Sequence, residues 1–197
     1  MRAPERAMTE IIDVLRQEHS NIDKVLGILE RELNLFGRSE RPDYEVLFAV
    51  IEYFKDYPDS CHHPKEDMVF AKLRERDPAA AATVGDLEDE HREEAKRLRR
   101  VASAIESVLN DQDLLRQDVD DIIRDFIAHE REHMAMEEHV LFPAALAALQ
   151  PVDWADLALK VADRYDPLSR PGLEEKYEAL LRKILQLEAE AEAERVH

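Results

Sequence analysis

Apolar residues recur at steps of three and four along most of the chain, the period of an α-helix with one buried face. Ile11, Leu15, Ile22, Leu26, Leu29 and Leu33 predict a helix over about 9–36, with Thr9 as a candidate cap and 37–42 as its end. A second stripe, Leu47, Ile51, Phe54, Val69, Phe70 and Leu73, runs to Asp77-Pro78 and is interrupted by Pro58 and Pro64. A third carries Val84, Leu87, Leu98, Ala102, Ile105 and Leu109 and ends near Asn110. The fourth begins near 112, carries Leu115, Val119, Ile122, Phe126, Val140, Leu141 and Ala144, and stops before Pro151. No segment alternates with period two. The expected fold is all-α: an up-down-up-down four-helix bundle with additional C-terminal helices. The expected boundaries are an N-terminal extension 1–8, the bundle 9–149 and a helical extension 150–197. Within that extension 152–163 reads as a short helix and 166–172 as a linker. Leu173, Tyr177, Leu180, Leu181, Ile184 and Leu187 form a last stripe, which packs on the bundle or pairs with a second copy as a homodimer. Residues 188–197 are expected to fray.

The gaps in these stripes are polar. His19 lies between Leu15 and Ile22, His62 and Glu66 between Phe54 and Val69, and His91 between Leu87 and Leu98. His129, His133 and Glu137 fill the inward run between Phe126 and Val140. Counted from the intervening turns at about 1.5 Å per residue, these positions agree in height to within about a turn, so they form one layer. Burying each without a partner would cost roughly 1–3 kcal/mol or more. A shared metal resolves the problem for all of them, because neutral imidazole and carboxylate suit iron, manganese or zinc. The repeated H-x-x-x-E spacing, His62 with Glu66 and His133 with Glu137, sets two candidate ligands one turn apart on one face.

Composition narrows the partners. The 197 residues carry 45 acids against 27 lysines and arginines, a net charge of −18. Such a surface repels nucleic acid and anionic lipid and attracts cations. Only four glycines fit long elements, and the single cysteine allows no internal disulfide. The N-terminal residues lack an apolar signal core, and no stretch approaches about 18 uninterrupted apolar residues. The expected location is cytoplasmic, with no membrane and no nucleic-acid partner.

Residues 129–133 match H-E-x-x-H, the zinc-protease pattern, but that reading leaves His19, His62 and His91 unexplained. Glu88-x-x-His91 and Glu130-x-x-His133 fit the E-x-x-H unit of ferritin-like di-iron oxidases, a template that wants glutamate alone where His19 and His62 face inward. Cys61 is expected to pack, His63 to make a rim contact with Asp67, His139 to be exposed, Glu138 to be solvated in preference to standing as an acid behind a ligand, and Trp154 to lie in the core. Pro64 removes a helical bond to Ser60 and predicts a kink between His62 and Glu66.

The order of one His, H-x-x-x-E, one His and H-x-x-x-E over four helices resembles the hemerythrin-like, HHE cation-binding family. Segments 61–67 (CHHPKED) and 133–143 (HMAMEEHVLFP) resemble its local signatures, and PVDW at 151–154 is similar to some members. The resemblance covers about 9–149. It implies two non-haem Fe ions with a bridging oxo or hydroxo group, held by His19, His62, Glu66, His91, His133 and Glu137, the two glutamates spanning the pair. It further implies a small diatomic or peroxide ligand: binding or sensing of dioxygen, nitric oxide or peroxide, or handling of iron. One departure matters. Oxygen-carrying members have two histidines a turn apart on the third helix, and here Ala95 follows His91 by four. With four imidazoles each iron keeps about one vacancy; a fifth would leave one vacancy in all. His129 is the candidate for that fifth ligand, or lies just behind the ligands. A metal-stabilised interaction module without turnover and a ferritin-like oxidase are the alternatives.

Overall fold

The computed structural model describes residues 3–110, 115–164 and 172–195. All its regular elements are helical, and no strand occurs among the described residues. Helix α1 spans Ala3–Gly37, so Thr9 lies inside it rather than capping it. The second stripe is built as helix α2 (Tyr44–Tyr57), a π-helical turn (Pro58–His62) and helix α3 (His63–Arg76). A short helix α4 (Pro78–Val84) precedes helix α5 (Leu87–Leu109). The fourth stripe is helix α6 (Arg116–Met136), a second π-helical turn (Glu137–Leu141) and helix α7 (Phe142–Ala148). Helices α8 (Pro151–Arg164) and α9 (Leu173–Arg195) follow. Most of the linker read at 166–172 lies outside the described residues.

Short acidic side chains start three of these helices. The Asp43 carboxylate accepts from the backbone N–H of Glu45 and Val46, Asp77 from Ala80 and Asp86 from Asp89. Each satisfies donors that the first turn leaves open. Helix α1 packs on α2, α6, α8 and α9, helix α5 on α2 and α6, and helix α3 on α4, α7 and α8.

Helix α9 lies on α2 and α1, in line with the reading of its stripe as a packing face. Tyr177 and Ile184 are buried in the core, and Tyr177 meets Tyr57 edge-on at 5.2 Å. The expected fraying of the C-terminal residues does not hold as far as Arg195. Arg31 donates to buried Glu188 at 2.5 Å, and Arg195 donates to buried Glu32 at 2.6 Å. Long-range arginine partners, invisible in a local reading of an acid-rich tail, hold those turns.

Two apolar clusters make up the core. One joins the second half of α1 (Ile22 to Leu33) to α2, the later part of α5, α6 and α9. The other joins Ile11, Ile12 and Leu15 to the later part of α3, α4, the second π turn, α7 and α8, and it includes the fully buried Trp154. On each participating helix the two clusters are separated by polar residues: His19 on α1, His62 to Glu66 about the start of α3, His91 and Glu94 on α5, Glu137 after α6. A polar layer therefore divides two greasy halves. No helix is long and apolar enough to cross a membrane.

Candidate metal centre

The two π turns set the faces of this layer. In the first, the His63 N–H reaches back five residues to the carbonyl of Pro58; in the second, the Phe142 N–H reaches Glu137. Each turn holds one residue more than an α turn and so shifts the side-chain register. Proline follows both irregularities, Pro64 and Pro143, in the first turn of α3 and of α7, where a missing N–H is tolerated. The distortion expected between His62 and Glu66 therefore lies ahead of that pair, in 58–62. The Cys61 carbonyl accepts from the buried Lys65 ammonium at 2.7 Å.

After this shift both His62 and His63 are buried and face the layer. Two groups of potential ligand atoms result, each with its atoms within 4.8 Å of one another: His19, His62, Glu66 and Glu137 in the first, His63, Glu66, His91 and His133 in the second. Glu66 belongs to both. Its Oε1 lies 3.2 Å from His19 Nε2 and 3.0 Å from His62 Nε2, while Oε2 lies 3.8 Å from His91 Nε2. Glu137 is placed alike, with Oε2 3.3 Å from His19 Nε2 and Oε1 3.3 Å from His133 Nε2. Both carboxylates are fully buried.

A shell of acids holds the outer nitrogens. His62 Nδ1 meets Glu18 at 2.9 Å, and Lys65 donates to the other Glu18 oxygen at 2.6 Å. His19 Nδ1 meets Glu138 at 3.0 Å, and Arg16 donates to Glu138 at 3.1 Å. Glu138, expected to be solvated, is instead part-buried and orients an imidazole. His63 Nδ1 meets Asp59 at 3.3 Å, and His91 Nδ1 lies 3.7 Å from Asp67. Such partners fix the tautomer that turns Nε2 inward. Asp67 also lines a groove of about 650 Å³, with Phe70, Arg74, Asp86 and Glu88, that opens between α3, α4 and the start of α5.

The inner atoms are poorly paired. Glu66 Oε2, His91 Nε2, both ring nitrogens of His133 and both oxygens of Glu137 are buried without a hydrogen bond. The charges respond accordingly. Burial lowers the affinity of His19 and His62 for protons, but the neighbouring carboxylates more than reverse it, lifting them to about 10 and about 9. Burial pushes His91 down to about 3, helped by the charge of His63, and His133 down to about 4. Burial and the charge of Glu66 push Glu137 up. The metal-free layer thus holds protons where acids and imidazoles crowd.

The structure brings His19, His62, Glu66, His91, His133 and Glu137 together in these two groups. It leaves His129 outside both: its Nε2 lies 4.0 Å from Glu90, and its ring centroid is 6.5 Å from that of His133. His63, read from the sequence as a rim contact of Asp67, stacks on His91 at 3.7 Å between centroids and stands in the second group. The sequence signal for it was Pro64, the mark of an irregular turn. Cys61 and Trp154 are buried in the core and His139 is exposed, as expected. Two further acids are buried nearby: Glu130, met in the sequence within the H-E-x-x-H and E-x-x-H patterns, and Glu94, which escaped the sequence reading.

The family model of the hemerythrin HHE cation binding domain matches residues 10–145. No curated protein and no solved structure matches the chain.

Proposed function

The chain belongs to the hemerythrin HHE cation-binding family, and from that premise we propose that it is a non-haem di-iron protein. In this reading it binds or senses dioxygen, nitric oxide or peroxide, or handles iron. The observation that carries the proposal is the two-sided placement of Glu66 and Glu137, each with one oxygen toward the His19 side and the other toward His91 or His133. The fit is supported by the orphaned buried atoms, since imidazole and carboxylate of this kind suit iron. His19 and His62 would hold one ion and His63, His91 and His133 the other, with Glu66 and Glu137 between them and an oxo or hydroxo group completing the pair. The fifth imidazole would then be His63 rather than His129. The two groups offer eight ligand atoms for roughly twelve positions, which leaves room for a small ligand.

When bound, iron would supply open positions for a small ligand and one-electron chemistry. The chain does the rest: Glu18 with Lys65 and Glu138 with Arg16 hold the two imidazoles beside it, and the apolar clusters above and below keep bulk water out. We read α1, α2 with α3, α5, and α6 with α7 as an up-down-up-down bundle over 9–149, extended by 1–8 and 150–197. This is supported by the packing of α1 on α2, α2 on α5, α5 on α6 and α6 on α1. A cytoplasmic setting suits a chain whose single cysteine allows no internal disulfide.

Anaerobic loading with ferrous salt, elemental analysis and absorption spectroscopy test the reading. Two irons per chain and a spectrum that changes with oxygen, nitric oxide or peroxide are expected; reversible change marks a carrier or sensor, and consumption of peroxide an enzyme. A chain that takes up only zinc, without a redox response, overturns it.

A further inference from the structure

Glu94 stands on α5 one turn after His91, on the same face, and is 6 % exposed. Its Oε2 lies 3.1 Å from His63 Nε2, yet that oxygen has no hydrogen bond. His63 directs Nδ1 at Asp59 and Nε2 at Glu94, so a cation belongs between Nε2 and Oε2: a proton in the metal-free chain, or a metal ion that takes its place.

The same separation recurs throughout the centre. Imidazole Nε2 and carboxylate oxygen stand 3.0 Å apart for His62 and Glu66, 3.2 Å for His19 and Glu66, and 3.3 Å for His133 and Glu137. Two ligands at right angles on an octahedral ion, with bonds of about 2.1 Å, are about 3.0 Å apart. We propose that Glu94 is a further metal ligand: a carboxylate that binds the divalent ion held by His63, His91 and His133.

This rests on the di-metal reading and adds to it. A third carboxylate would then serve one ion only, leaving the ion at His19 and His62 with fewer ligands from the chain.

Cobalt(II) is the probe, titrated anaerobically into the metal-free full chain. The wild type is expected to bind two ions per chain; fewer than two sinks the di-metal reading itself, whatever Glu94 does. Given two, Glu94→Gln is expected to weaken one by about tenfold or more and leave the other unchanged. The visible cobalt bands should intensify as one ion passes from six ligands to five. Glu94→Asp, which keeps the charge on a shorter stem, should fall between. Metal-free Glu94→Gln should melt somewhat lower than the wild type, because it leaves the buried His63 without its carboxylate partner, so circular dichroism should first show that the variant is folded. Wild-type affinities and bands in both variants, or loss of both ions from Glu94→Gln, overturn the assignment.

Discussion

Glu18 and Glu138 hold the outer nitrogens of His62 and His19, while Glu66 and Glu137, with Glu18, explain how those imidazoles respond to protons. In the metal-free chain His19 and His62 titrate near 10 and 9 against an unfolded value of 6.5. Their contribution to stability is complete below pH 6.5 and is lost as pH rises through 9 to 10. His91 and His133 act oppositely: they are held neutral, and their contribution fades as pH falls from 6.5 toward 3 to 4. Thermal melting of the metal-free protein should therefore peak near pH 6.5 and decline toward pH 10. The iron- or cobalt-loaded protein should reverse that upper limb and gain stability as pH rises, because protons compete for the ligands. Identity of the two profiles would refute the assignment of His19 and His62. A second test separates the neighbouring histidines. His63→Ala should reduce bound metal from two ions to one by elemental analysis, whereas His129→Gln should keep both. The inward histidines on α1, α5 and α6 were legible because they replace apolar residues within an unbroken helical period. His63 was not, because one additional residue in a single turn moves it onto that face, and Glu94 was not, because it sits in the charged run 88–94 that reads as solvated surface.

At the level of elements, the two π turns carry more of the site than any cap or salt bridge. A register shift of one residue turns His63 from rim to interior while Glu66, one α turn beyond His62, keeps its place. Deleting Ser60 should close the first turn into ordinary α-helix and rotate α3 by about 100° relative to α2. The expected result is a helical protein by circular dichroism that binds fewer than two ions; retention of both would show that the turn is incidental. The stripes located the second and fourth helices correctly but as single rods. Hydrophobic periodicity averages over several turns and is blind to one wide one. It also missed α4, whose Ala-rich seven residues offer almost no polar contrast.

The whole molecule carries a net charge of −18, spread over helices whose outer faces are rich in acid. Such a field concentrates divalent cations near the surface, and the groove bearing Asp67, Asp86 and Glu88 brings some of that charge beside His91. Metal uptake should slow as ionic strength rises from about 10 mM to about 200 mM, with little change in final occupancy, because screening acts on exposed charge far more than on the buried layer. A stopped-flow rate independent of salt would remove the surface from the account. The chain also contains its own reporter. Trp154, the single tryptophan, is fully buried in the apolar half that includes Phe142, whose ring stacks on His19 at 5.5 Å. Its fluorescence comes from one defined location next to the centre, so quenching of that emission by an arriving paramagnetic ion would register each filling and emptying without any added dye.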